Sequence, residues 1–197
     1  MAIEEVKNIF DCQSGNTGLT EQFIYNNSLV QGEAYQVLSS ATMDSTSMGT
    51  LYIDSNDVSF TTFSGKIGIL IARNGKAGQM KFLPRGRYVT NDHAYILSVK
   101  RGFKEKYNIN CKEEEYFLKY FIFKYQHDMY QFASKNDNAT WNKTAFFKYF
   151  KIEIPSKSVM ERVAKQYNDI IDYRKLLQNK INELDALLNK TVIVEES

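Results

Sequence analysis

Few residues in this chain could do chemistry, and their spacing limits what that chemistry is. His93 and His127 are the only histidines, Cys12 and Cys111 the only cysteines. No CxxC pair and no His-x-x-x-His goes with them, so the ligand spacing of a structural zinc site is missing. Two cysteines so far apart build no disulfide framework either. Asn91-Asp92-His93 has catalytic residue types, but no nucleophile motif accompanies it, and Asn and Asp at the start of a strand usually close a turn. Ser45-Thr46-Ser47 lacks the strand–elbow–helix setting of a serine nucleophile. Gly75-Lys76-Ala77-Gly78 follows an apolar run, without the further glycine spacing and Lys-Ser/Thr pair of a nucleotide loop. It reads as a glycine turn between strands, where backbone amides, Arg73 and Lys76 could touch a nucleic-acid phosphate.

Two further chemistries can be tested by motif. A metal-dependent nuclease of the common kind carries Pro-Asp followed by acid-x-Lys, which holds magnesium and activates water. Pro84 and Pro155, the only prolines, precede Arg85 and Ser156, and the only acid-x-Lys is Glu5-Val6-Lys7. An adenine methyltransferase would carry a glycine-rich cofactor turn and an Asn/Asp-Pro-Pro-aromatic motif, and there is no Pro-Pro. The expectation is a chain that binds without transforming, with no catalytic residue, metal or cofactor.

The charge pattern suggests what is bound. The net charge is only +2, yet residues 1–65 hold Lys7 against eight acids, and residues 66–106 hold ten Lys and Arg against Asp92 and Glu105. A basic block inside a near-neutral protein suggests a polyanion partner; a solvated basic face on an ordinary protein is the competing reading. The candidate contacts are Lys66, Arg73, Asn74, Lys76, Lys81, Arg85, Arg87, Lys100, Arg101 and Lys104. Loops 39–47 and 73–87 hold the Arg, Asn, Gln, Ser and Thr types that read base edges.

The elements that must position these residues follow from periodicity. Short apolar or alternating runs at 35–38, 50–53, 67–71 and 95–99 are bounded by Gly, Asn, Asp or Ser, which predicts strands. Between 113 and 132 the period changes to that of a buried helix behind an acidic first turn. A short helix is expected from Asn142, and residues 151–154 form a last strand ended by Pro155. With 43% hydrophobic and 14% aromatic residues, the core should be rich in rings. The fold class expected for residues 1–155 is α/β (α+β), mixed and strand-rich.

After Pro155 the character changes. Ser156 or Ser158 can cap a helix that meets no Gly or Pro up to about Lys190. Val163, Ile170, Leu177 and Leu184 are spaced by seven, and Tyr167, Arg174, Ile181 and Leu188 follow each by four. This is a coiled-coil seam with Arg174 as its one charged member. At about 1.5 Å per residue the helix is roughly 45–50 Å long, too long for a small domain to cover. Residues 156–197 are therefore expected to dimerise; a helix lying along its own domain is the alternative. Arg174 could fix register by meeting Asp169 or Asp172 of a partner helix. No signal peptide or membrane-spanning run is visible, so a cytoplasmic protein is expected.

The order of these features resembles a known family. Val6-Lys7-Asn8-Ile9-Phe10-Asp11 through Ser14-Gly15-Asn16-Thr17, then residues 35–40 and 48–54, come first. Ile69-Leu70-Ile71-Ala72-Arg73-Asn74-Gly75-Lys76-Ala77-Gly78 and Val89-Thr90-Asn91-Asp92-His93-Ala94-Tyr95-Ile96-Leu97 follow. Thr140-Trp141-Asn142-Lys143-Thr144, Ile152-Glu153-Ile154-Pro155 and the long helix close the series. In this order they resemble a target-recognition domain of the specificity subunit of type I restriction–modification systems, over essentially the whole chain. One departure is Val159-Met160-Glu161, where the family usually opens its helix with an acid-Gln pair. The resemblance implies sequence-specific recognition of double-stranded DNA, with catalysis left to methyltransferase subunits docked on the helices and to a restriction subunit. Full-length members carry two domains and two helices, so one of each implies a half-subunit that pairs with a second copy to read a bipartite target. A coiled-coil adaptor without DNA specificity is the reading from a different class.

Overall fold

Residues 68–72 are apolar at every position, so a strand built from them needs cover on both faces. The computed structural model describes residues 2–27, 31–44, 47–54, 56–135 and 139–195, with side chains as far as Leu188, and in it that strand is covered on both sides. The chain runs through β1 (Ile3–Glu5), α1 (Val6–Ile9), β2 (Phe10–Ser14), α2 (Glu21–Asn26), β3 (Glu33–Leu38) and a 3-10 turn (Ser40–Met43). Then come β4 (Gly49–Ile53), β5 (Thr62–Ser64), β6 (Gly68–Ala72), β7 (Met80–Leu83), β8 (Arg87–Thr90) and β9 (Ala94–Val99). Helices α3 (Arg101–Tyr107), α4 (Cys111–Met129) and α5 (Lys143–Tyr149), strand β10 (Lys151–Glu153) and the long α6 (Lys157–Glu195) follow.

One sheet has the order β2-β9-β6-β7, a second β4-β3-β8-β5, and β1 pairs with β10. The first sheet is antiparallel throughout; in the second, β3 and β8 run parallel. The two-residue period of a strand sorts the core. Ile69, Ile71, Leu97 and Val99 join Phe10, Phe117 and Phe121 on the side of α4. The intervening Leu70, Ala72, Ala94 and Ile96 join Leu38, Phe63 and Tyr88 between the two sheets. On the far side of the second sheet, Tyr35, Val37, Leu51, Ile53 and Val89 pack with Leu19 and Ile24. The domain is thus four layers deep, with helices, two sheets and α2.

The helix boundaries have local causes. The Asn110 side chain accepts from the amides of Lys112 and Glu113, both at 3.0 Å, while Glu113 accepts from the Asn110 amide at 2.9 Å. This reciprocal cap starts α4 two residues ahead of the expected 113. Ser156 receives the Val159 amide at 3.4 Å, so it, rather than Ser158, caps α6. Lys157 ties the start of α6 to Glu113 at 2.8 Å and to the Asn108 carbonyl at 2.7 Å. The mixed fold, the four expected strands, the short helix after Asn142 and the last strand all stand where periodicity put them. Residues 101–107 show no apolar period, because Gly102 interrupts a basic run, and they fold as α3.

Rings dominate the helix-side core, as the composition led us to expect. Phe121 meets Phe10 edge-on at 4.9 Å, and Phe117 meets Phe103 at 5.3 Å. Phe117 is fully buried, so Phe117→Ala should cost about 3–5 kcal/mol in urea denaturation. Leu177→Ala, on the exposed part of α6, should leave the unfolding of the head unchanged.

Candidate nucleic-acid interface

Strand register places several loops at one end of both sheets. Ala72 pairs with Ala94, Ser14 with Tyr95, and Leu38 with Thr90, so segments 15–20, 39–44, 47–48, 73–79 and 91–93 emerge together. Segment 139–142 is drawn in by the backbone: the Arg73 amide donates to the His93 carbonyl at 2.8 Å, and the Trp141 amide donates to the Arg73 carbonyl at 2.7 Å. Asn74 Nδ2 donates to His93 Nδ1 at 2.8 Å, and the Thr140 hydroxyl donates to Asn74 Oδ1 at 3.3 Å. A neutral His93 held this way carries its proton on Nε2. Asn16 accepts from the Thr61 amide at 2.7 Å and donates to the Thr90 carbonyl at 3.0 Å. Beside it, a Cβ on Gly15 would lie 1.8 Å from the Asn91 carbonyl oxygen, so only glycine allows this approach.

Charge at this end centres on one ring. The Arg73 guanidinium donates to the Asp92 carbonyl at 3.0 Å and stands 6.0 Å from the centre of the Tyr95 ring. Lys143 Nζ stands 5.3 Å from the same centre, with Ser14 Oγ at 3.4 Å. Among the described residues neither cation makes an ion pair. Burial raises the Tyr95 hydroxyl pKa, against the charge of Arg73. Burial also pushes the neighbouring Cys12 thiol up to about 11, against Lys143. Arg73, Tyr95, Thr140, Asn142 and Lys143 line one shallow groove.

The predicted contacts divide between the two ends. Arg73, Asn74 and Lys76 lie at the loop end described above. Asn74 is engaged at both ends of its amide, and Lys76 bonds to Asp44. Lys76 foremost, helped by Gln79 and the nearby charge of Arg174, holds the Asp44 carboxyl below its ordinary range. Lys81 is half-buried in β7, donates to the Thr42 carbonyl at 2.9 Å, and has its pKa lowered by desolvation. Lys66, Arg85, Arg87, Lys100, Arg101 and Lys104 lie at the opposite end of the strands. There Arg87 pairs with Glu33 at 2.8 Å, Arg101 with Glu105 at 2.7 Å and Lys104 with Glu114 at 2.9 Å. Lys100 sits 3.8 Å from Asp11, and Arg85 donates to the Gly65 carbonyl at 2.6 Å. The basic block is contiguous in sequence but not in space. Lys143, which lies outside that block, is what the fold sets beside Arg73; no charge pattern marked it. In loop 39–47, Ser45 and Thr46 lie outside the described residues.

The seam of α6 also divides. Met160 and Ala164 are buried in the head, and Val163 and Tyr167 are half-buried against it. From Ile170 onward the seam is open: Ile170 is 44% exposed, Leu177 63%, Ile181 50%, Leu184 60% and Leu188 64%. Tyr173, Leu176 and Leu187 are exposed too, which widens the apolar stripe beyond the seven-residue spacing. Arg174 is close enough to the head for its charge to act on Asp44 and Tyr167. Among the described residues no three His, Cys, Asp or Glu side chains gather around a metal position, and no helix is long and apolar enough to cross a membrane.

No family model matches the chain, and no curated protein matches it. Solved structures do. The type I restriction–modification S subunit from M. genitalium matches with a TM-score of 0.56 at 14% identity, over 88% of this chain and 39% of that one. The HsdS subunit from Thermoanaerobacter tengcongensis matches with 0.56 at 10%, over 91% and 39%. A chain from a structure of type I R-M system assembly and conformational transition matches with 0.56 at 12%, over 96% and 43%. This chain shares its fold with part of each of these structures and spans about two fifths of their length.

The two thiols should react unequally. Cys111 is exposed, whereas Cys12 is half-buried with its pKa raised to about 11. Iodoacetamide at mildly alkaline pH should therefore modify Cys111 in the folded protein and leave Cys12 until denaturant is added, as peptide mass spectrometry would read. The thiolate is the nucleophile, and Cys12 holds its proton until the pH approaches that value.

Proposed function

We propose that this chain is a sequence-reading DNA-specificity element of the type I restriction–modification kind, with methyl transfer and cleavage carried out by partner subunits in the cytoplasm. The observation that carries this reading is the fold itself: the matches to two S subunits extend over 88% and 91% of the chain, head and helix together. The loop end supports it. Polar side chains there are held on a rigid scaffold by hydrogen bonds between loops, which keeps down the ordering cost of binding. Phosphate contacts would set the register and base-edge contacts would set the sequence.

The open part of α6 supports pairing. Ile170, Leu177, Ile181, Leu184 and Leu188 lie in water in the isolated chain. Burying each such side chain is worth roughly 1.5–3 kcal/mol, and a two-fold pair satisfies the stripe with the same surface used twice. In our reading the two helices pack antiparallel, hold two heads apart, and offer a dock for methyltransferase subunits and a restriction subunit. The target is then a bipartite palindrome. Because Arg174 lies near Asp44 of its own head, an acid across the interface is not its only source of compensation.

Sedimentation of the unmodified chain at micromolar concentration should show a dimer. Changing Ile170 and Leu177 together to Asp should give monomers whose head unfolds at an unchanged denaturant concentration and whose sequence-specific duplex binding is lost. A monomeric unmodified chain would overturn the pairing, and a double variant that still binds its target tightly would overturn the role given to it.

A further inference from the structure

A carboxylate beside a cation cancels part of its charge at short range, so a paired cation adds less to the field that a phosphate meets. Applied to this head, that rule sets Arg73 and Lys143 apart from Lys76 beside them and from most cations at the opposite end. At one end Arg87, Arg101 and Lys104 are paired with Glu33, Glu105 and Glu114. Lys66 and Arg85 share a cleft there with Asp11, Glu114 and Glu115. At the loop end Arg73 and Lys143 stand 6.0 and 5.3 Å from the centre of one ring, Tyr95, with no ion pair to any described residue. A ring face attracts cations but leaves their charge in place. Two like charges beside one ring call for an anion, and the Asn142 side-chain amide on the same groove adds a neutral N–H donor.

We propose that Arg73 and Lys143, braced by Tyr95, form the principal phosphate clamp of the DNA interface, and that the acid-paired cations at the opposite end do not contact DNA. This rests on the DNA-reading proposal above and adds the face and the residues. The guanidinium is suited to the task, since its planar fork binds phosphate oxygens in pairs. Its orientation is set in advance by the Asp92 carbonyl at 3.0 Å. The Arg73 backbone is fixed on both sides, by the His93 carbonyl and the Trp141 amide. Lys143 supplies a point charge from the first residue of α5. A phosphate contact carries no sequence information, so the clamp would set the register in which neighbouring loops meet base edges.

The test is the binding of the full chain to a labelled duplex of random sequence over a salt series, with single-stranded DNA and heparin as competitors. Lys143→Ala and Arg73→Ala should each lower the slope of log affinity against log salt by about 0.9, and weaken binding to all duplex sequences alike. Lys143→Arg should restore the slope. Lys104→Ala and Arg101→Ala, from the opposite end, should leave it unchanged, as should the helix control Lys165→Ala. Arg73 also tethers loops, so Lys143→Ala with a matched urea unfolding curve is the decisive variant. An unmodified chain that binds duplex with a steep slope untouched by Lys143→Ala overturns the clamp alone. Loss of selectivity at a single base position, rather than uniform weakening, overturns the phosphate assignment. If the unmodified chain holds duplex no better than single-stranded DNA or heparin, the DNA-reading proposal itself fails.

Discussion

A strand with water on neither face must be apolar at every position, and β6 is that strand here. Ile69 and Ile71 face the helices while Leu70 and Ala72 face the second sheet. The segment thus belongs to two cores at once, and a slip of one residue would exchange the two sets. Where β6 ends is therefore fixed by packing on both sides. The turn that follows carries Arg73 and Asn74, and its position is inherited from that double burial. The hydrogen bonds from Arg73 to His93 and from Trp141 to Arg73 then pass the same constraint to two further loops. Rigidity at the loop end is a consequence of the core.

Electrostatics selects among the many cations. Lys106 bonds to the nearly buried Glu4, whose carboxyl it holds below its ordinary range with the help of Tyr107. Lys104 is spent on Glu114, and Lys157 on Glu113. These pairs fasten α3, β1, α4 and α6 to one another, so much of the block at 66–106 serves the fold. Six of the ten cations in that block, Lys76, Arg87, Lys100, Arg101, Lys104 and Lys106, make an ion pair with a described acid, and Arg73 is not among them. A DNA reader of the kind proposed would depend on the placement of cations such as Arg73, which the hydrogen bonds between loops supply.

Much of this architecture was legible in the sequence. The run at 67–71, the alternation at 95–99 and the acidic first turn before Tyr116 each follow from periods that burial imposes. So does the long helix, since nothing after Pro155 interrupts it. What could not be read was anything depending on which segments meet. Lys143 becomes part of a site only because Trp141 bonds to Arg73 across 68 positions of chain. The basic block is one run in sequence, but antiparallel pairing of β6 with β7 and β9 sends its members to opposite ends. Likewise Val163 and Tyr167 fit the heptad spacing, but both are half-buried on the stretch of α6 that packs on the head, so the seam opens only from Ile170 onward.

In the proposed reading, two copies joined along the open stripe of α6 hold two identical reading ends at a fixed separation. One head alone would then read half of the target. Selection of bound duplexes from a randomised pool by the purified full chain tests this most directly. The account predicts recovered sequences sharing two short inverted half-sites with a constant spacer. Recovery of one isolated half-site, or of no common sequence at all, would contradict it.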